Sequence, residues 1–130
     1  DLYTTLRTPR KDDSNADRMR EAVSFIRENY FKPFSVSELA ARFNMSETHF
    51  RRLFKRYTGR SPRRFIASLR ISAAKRMLAQ GRSIKETADA AGFRDVFYFM
   101  RVFRKLAGSP PGAFVKELSG VEVSEAVSRG

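Results

Sequence analysis

The sequence predicts an all-α protein built from two helix-turn-helix subdomains, about seven helices in total, bridged by a long central helix. Three observations predict it. Apolar residues recur at three- and four-residue spacing along most of the chain, the period of one helix face. A capping phrase, Ser-x-x-Glu, occurs at Ser35–Glu38 and again at Ser83–Glu86. Finally, FRRLFKRYTGRSPRRF (residues 50–65) returns forty-nine positions later as FMRVFRKLAGSPPGAF (residues 99–114). The copies share Phe50/Phe99, Arg52/Arg101, Phe54/Phe103, Gly59/Gly108, Pro62/Pro111 and Phe65/Phe114.

Residues 1–16 have no sustained periodicity and read as a linker or N-terminal arm. The first residue is Asp1 rather than Met, so the chain is expected to be processed or cut from something longer. A first subdomain is expected over 17–60. From Asp17 the stripe Met19, Ala22, Val23, Ile26 and Tyr30 predicts a helix, ended by the phrase KPF at residues 32–34. In the capping box Ser35 serves the N3 amide while Glu38 reaches back to the N-cap amide, opening a short helix through Leu39, Ala40 and Phe43. The turn Asn44-Met45-Ser46 follows, with Ser46 as the next N-cap. The helix from Glu47 is expected to bury Phe50, Leu53, Phe54 and Tyr57 and to stop at a left-handed Gly59.

The linker helix is expected over 61–81. Ser61-Pro62 starts it, with Pro in the first turn. Its stripe is Phe65, Ile66, Leu69, Ala73 and Met77, and Gln80-Gly81 closes it. The second subdomain, 82–118, repeats the pattern with the Ser83/Glu86 box, a short helix over 87–91, a Gly92-Phe93 turn and a helix burying Phe99, Val102, Phe103 and Leu106. Ser35 maps to Ser83 at an offset of 48 but Phe50 maps to Phe99 at 49, so the second turn is one residue longer. A short helix over 111–118 completes the fold, and 119–130 reads as a C-terminal tail.

Charge narrows the function. The net charge is +12, and no acid occurs between Glu47 and Glu86. That interval holds twelve cations, Arg51, Arg52, Lys55, Arg56, Arg60, Arg63, Arg64, Arg70, Lys75, Arg76, Arg82 and Lys85, equal to the entire net charge. Such an unneutralised block attracts polyanions. The chain has no Cys, which excludes thiolate chemistry and Cys-based metal sites, and His49 is its single His, so no metal or cofactor is expected. No nucleophile–base set or Gly-rich phosphate loop appears, and an enzyme is not expected. No apolar run approaches membrane-spanning length.

The cations fall on chosen faces. At about 100° per residue, Phe50, Leu53, Phe54 and Tyr57 occupy a sector of about 100°. Opposite lie Thr48, Arg52 and Lys55, flanked by Arg51 and Arg56. In the second copy Phe97, Arg101 and Arg104 face outward, flanked by Met100 and Lys105. An outward Arg/Lys stripe suits the major groove, where Arg pairs with guanine O6 and N7 and neighbouring cations hold phosphates. Two such helices, about 47–57 and 95–107, point to double-stranded DNA read in two successive major grooves, about 34 Å apart, by one chain. A closer spacing would require the DNA to bend.

The phrases VSELAARFNMSETHFRRLFKRYTGRSPRRFI, RISAAKRMLAQGRSIKETADAAGF and YFMRVFRKLAGSPPGAF together resemble the DNA-binding domain of the AraC/XylS family of bacterial transcription regulators, over about residues 18–118. The resemblance implies seven helices in two helix-turn-helix subdomains, sequence-specific promoter binding in the bacterial cytoplasm on the nucleoid, and activation through RNA polymerase. It also implies a separate sensor or dimerisation domain outside this chain. Carried over by position, base contacts fall on Thr48, Arg51 and Arg52 in the first motif, and on Val96, Phe97, Met100 and Arg101 in the second. Phosphate contacts are expected from Lys55, Arg56, Arg60, Arg104 and Lys105.

The second motif departs from the family pattern, which often offers Gln, Ser or Thr where this chain has Val, Phe and Met. The first motif is therefore expected to carry most direct readout, with Arg101 adding one base contact. Phe97 has two readings, a DNA-facing aromatic or one tucked against its own motif. The main functional alternative is a non-specific basic module for nucleic acid or an anionic surface, acting chiefly through proteins. Some DNA-repair methyl-acceptor proteins carry a domain of this family, but their chemistry needs a Cys.

Overall fold

Most of the helix boundaries have a local chemical cause. The computed structural model describes residues 11–119, with side chains from residue 14 onward. Among these residues there are seven helices: α1 Lys11–Asn29, α2 Val36–Arg42, α3 Glu47–Thr58, α4 Pro62–Ala79, α5 Ile84–Ala90, α6 Val96–Ala107 and α7 over 111–119. The proposed tail, apart from residue 119, and residues 1–10 of the proposed arm lie outside the described residues.

The caps account for the starts. The Oγ of Ser35, Ser46 and Ser83 accepts from the amides of Glu38, His49 and Glu86 at 3.0, 3.2 and 3.1 Å. Each bond satisfies one of the orphan donors of a first turn. In both Ser-x-x-Glu phrases the serine arm forms, and the return arm from the glutamate carboxylate is not among the hydrogen bonds of the described residues. Glu38 and Glu86 instead place negative charge in the first turn, where the helix dipole favours it. Helix α6 starts differently, on Asp95, whose Oδ1 accepts from the Phe97 amide at 3.0 Å.

Left-handed residues follow α2 to α6 and account for their stops. After α2, Met45 N–H donates to Ala40 O and Asn44 N–H to Ala41 O, a Schellman pair with Asn44 at φ 56°. After α5 the same pair recurs: Phe93 to Ala88, Gly92 to Asp89, and φ 102° at Gly92. Asn44 and Gly92 are therefore the same turn position in two copies. The turns then diverge, with four residues between α2 and α3 and five between α5 and α6. The added residue falls between Phe93 and Asp95, at Arg94.

The described chain divides into two compact units, one comprising the residues through Asn29 with Phe34–Phe65, the other Tyr30–Pro33 with everything from Ile66 onward. In the first unit Met19, Ala22, Ile26, Leu39, Ala40, Phe50, Leu53 and Phe54 are buried. A run of rings threads it, Phe43 to Phe50 at 6.2 Å, Phe50 to Phe54 at 5.6 Å and Phe54 to Phe65 at 5.4 Å. In the second unit Ile71, Ala74, Leu78, Ala88, Ala91, Phe93, Phe99 and Phe103 form the core. Its rings run Phe93 to Phe99 at 5.0 Å, Phe99 to Phe103 at 5.7 Å and Phe103 to Phe114 at 5.5 Å. Aromatic pairs at 4.5–7 Å add about 0.5–1.5 kcal/mol each beyond area burial. The repeated Phe residues of the sequence are thus the spine of two like cores.

Two expectations are corrected. Helix α1 already runs at Lys11, ahead of Asp17, because its first turns are polar and leave no apolar stripe to detect. Tyr57, placed on the buried stripe by its angle, is exposed, because it lies one residue from the end of α3, past the last buried residue of the stripe, Phe54.

Candidate nucleic-acid interface

Positions i, i+3, i+4 and i+7 of a helix lie along one face. On α3 these are Thr48, Arg51, Arg52 and Lys55, all exposed and opposite the buried Phe50, Leu53 and Phe54. On α6 the same register, forty-nine residues on, gives Phe97, Met100, Arg101 and Arg104, all exposed and opposite the buried Phe99 and Phe103. The C-terminal halves of the two stripes match in charge, Arg52 with Arg101 and Lys55 with Arg104. Their N-terminal halves do not: Thr48 and Arg51 are polar, Phe97 and Met100 apolar.

Each helix is strongly basic. Helix α3 carries Arg51, Arg52, Lys55 and Arg56 against Glu47, and α6 carries Arg101, Arg104 and Lys105 with no acid, so each has a formal charge of +3. Both concentrate cations in the last turn, Lys55 and Arg56 in one and Arg104 and Lys105 in the other, where the dipole favours them. Arg60 is exposed just beyond the left-handed Gly59.

Among the described residues, one guanidinium of the α3 stripe has a carboxylate partner, Arg51 to Glu47 at 2.6 Å. An exposed i,i+4 pair of this kind holds about 0.3–0.5 kcal/mol, too little to keep Arg51 from a stronger anionic or base partner.

Phe97 is 71% exposed, so it is not tucked against its own motif. Val96 is half-buried against the second core, on a different face from the stripe. His49 is exposed on α3.

Sequence reasoning missed three residues around α6. Asp95 is its cap. Arg94, the added turn residue, is exposed beside it. Tyr98 is 43% exposed, its ring 6.1 Å from Phe93 and 5.9 Å from the Arg101 guanidinium. The one-residue change of offset was the signal for Arg94 and Asp95. Tyr98 stands where the first copy has His49, and no sequence pattern marked it.

Comparison with known proteins places this geometry. The profile of the helix-turn-helix domain family matches residues 39–117. The chain belongs to the AraC-type helix-turn-helix family. An uncharacterized HTH-type transcriptional regulator of Escherichia coli K12, YidL, is 33% identical over 107 residues, covering 82% of this chain and 36% of that protein. The HTH-type transcriptional activator Btr of Bacillus subtilis is 30% identical over 118 residues, covering 90% of this chain and 22% of Btr. The DNA-binding domain of AdpA, a global transcriptional factor solved in complex with a target DNA, superposes with a TM-score of 0.72 at 33% identity. That match covers 77% of this chain and 91% of the AdpA domain. The chain thus spans less than half the length of the curated relatives it matches and nearly the whole of the AdpA DNA-binding domain. In AraC-type terms α2–α3 and α5–α6 are the two helix-turn-helix motifs, with α3 and α6 as their second helices.

Proposed function

We propose that this domain binds double-stranded DNA in a sequence-specific manner, with α3 and α6 as recognition helices in successive major grooves. The observation that carries the reading is the recurrence, at one register, of an exposed cationic stripe on the second helix of both motifs. Thr48, Arg51 and Arg52 on α3, and Phe97, Met100 and Arg101 on α6, face base edges. Lys55, Arg56, Arg60, Arg104 and Lys105 hold phosphates. Arginine supplies the bidentate contact to guanine, and the phosphate contacts set register and affinity. Val96, half-buried, contributes by fixing the start of α6.

The wider role is regulation of transcription, by activation. Btr, named an activator, aligns with 90% of this chain, and AdpA, a transcriptional factor, has its matching domain on target DNA. RNA polymerase is the partner such activation requires, and a sensor or dimerisation domain would supply the signal.

The test is selection of bound duplexes from a random library of about 25 base pairs at near-physiological salt, where phosphate-only binding is weak. The expected product is an asymmetric motif of two boxes about one helical turn apart. Binding that yields no motif and vanishes as salt rises overturns specificity and leaves an electrostatic module.

A further inference from the structure

The two stripes share their cationic half and differ in the half nearer the helix N-terminus, which in helix-turn-helix proteins contacts base edges. On α3 that half is Thr48 and Arg51, able to donate and accept hydrogen bonds. On α6 it is Phe97 and Met100, which offer no such group. Both are exposed, Phe97 at 71% and Met100 at 37%, on a face whose remaining members are Arg101 and Arg104.

An apolar pair in this place has a cost in water and needs a compensating partner. Large apolar side chains left exposed on a soluble domain mark an interaction surface when they adjoin one another. The adjoining cations restrict the partner to something anionic. In a major groove one group is apolar, the C5-methyl of thymine.

Resting on the DNA-binding reading above, we infer that Phe97 and Met100 form a thymine-methyl reader, so that the box under α6 is specified by the methyl groups of T·A pairs while the box under α3 is specified by hydrogen bonding. The division of labour is chemical. Thr48 and Arg51 distinguish bases by donors and acceptors, with guanine favoured by Arg51. Phe97 and Met100 distinguish thymine from cytosine and from purines by one buried methyl. Arg101, one turn along the same stripe, fixes the register of α6 against a base edge, and Arg104 and Lys105 supply the field that holds the apolar pair in the groove. Phe97 lies two residues from the Asp95 cap, with its own amide bonded to that carboxylate at 3.0 Å, so its backbone is held at the start of the helix while its ring stays in solvent.

The experiment replaces thymine by deoxyuridine, which deletes the methyl and leaves every hydrogen-bonding group in place. The operator is first selected, and its α6 box is assigned as the one whose base preference relaxes in Arg101→Ala. Binding of the full chain is then measured on duplexes carrying dU at each T of either box. Each dU under α6 is expected to weaken binding about fourfold, the worth of one methyl-sized group removed from water. Each dU under α3 should have a smaller effect. Phe97→Ala or Met100→Ala, both at exposed positions, is expected to abolish the T/dU difference under α6 and to leave the preferences of the α3 box intact.

An α6 box without thymine, or with dU as good as T, overturns the inference while leaving the DNA-binding reading in place. So does Phe97→Ala with unchanged DNA binding, which would mark the patch as a protein-docking face. Failure to select any motif overturns both.

Discussion

The Nε of Arg70 donates to the carbonyl oxygen of Tyr30 at 2.6 Å, across forty positions of sequence. Its Nη2 reaches Lys32 O at 3.2 Å, and its guanidinium lies 5.8 Å from the Phe93 ring. The segment Tyr30–Pro33, just after α1, is thereby fastened to α4 within the second unit. Burial pulls the Arg70 pKa below its ordinary value, with Tyr98 opposing and Arg94 adding. It stays protonated at neutral pH, so both bonds are charge-assisted.

Arg70→Ala is therefore expected to destabilise the domain by about 1–3 kcal/mol, the range for losing bonds from a half-buried charge to carbonyls. In thermal melts this is a fall of several degrees. Arg70→Lys is expected to recover less than half, since an ammonium cannot reach two carbonyls as a fork does. Full rescue by lysine would show that charge alone matters.

The second prediction concerns the matched turn positions Asn44 and Gly92. A Cβ on Gly92 would sit 2.9 Å from Phe31 Cα and from Tyr30 O, both backbone atoms, and 3.0 Å from Arg70 Nε, at φ +102°. Gly92→Asn should therefore cost about 3 kcal/mol or more, although Asn occupies the equivalent place after α2. Gly108, also left-handed, has nothing within 4 Å, so Gly108→Ala should cost only about 1–2 kcal/mol from its φ. Denaturant titration of the two variants ranks them, and equal losses would refute the close approach.

Thr87, on α5, is fully buried, and its Oγ1 has no hydrogen-bond partner among the described residues. An unsatisfied buried hydroxyl costs about 1–3 kcal/mol relative to an apolar group of the same shape. Thr87→Val should hold or raise the melting temperature; a clear drop would reveal a bond to the hydroxyl.

On the α3 stripe, Arg52 and Lys55 should fail differently when truncated. Arg52→Ala is expected to cost about 1–3 kcal/mol of binding and to broaden base preference at one position of the operator. Lys55→Ala should weaken all duplexes alike and lower the slope of log affinity against log salt by about one. Isotherms at four salt concentrations on the selected operator and a scrambled duplex separate the two. Identical behaviour would mean that neither reads a base.

Much of this was legible in the sequence because it is local. A serine cap acts over three residues and a left-handed stop over five, and a core stripe repeats every turn, so Ser35, Ser46, Ser83, Gly59, Gly108 and the Phe ladder each announce themselves. The exposed stripes follow from the same angles. What escaped depends on partners far along the chain or on substitutes for the usual residue. Asp95 caps α6 without the Ser-x-x-Glu phrase. Arg70 reads as one more cation in a basic block, and nothing near it in sequence names Tyr30 as its acceptor. Tyr57 has the right angle for burial, and angle cannot tell where a core ends.

The interleaving of Tyr30–Pro33 makes the two motif copies unequal as parts. A fragment beginning at Ser61 would contain every residue of the second helix-turn-helix and yet lack the two carbonyls that Arg70 uses and the backbone against which Gly92 packs. A fragment ending before α4 would carry a strap with nothing to fasten. The duplicated motif invites cutting and exchange along the linker helix, as with beads on a string, but the chain is stitched rather than strung. Grafting a new second reader onto this scaffold therefore means transplanting residues 30–33 together with it.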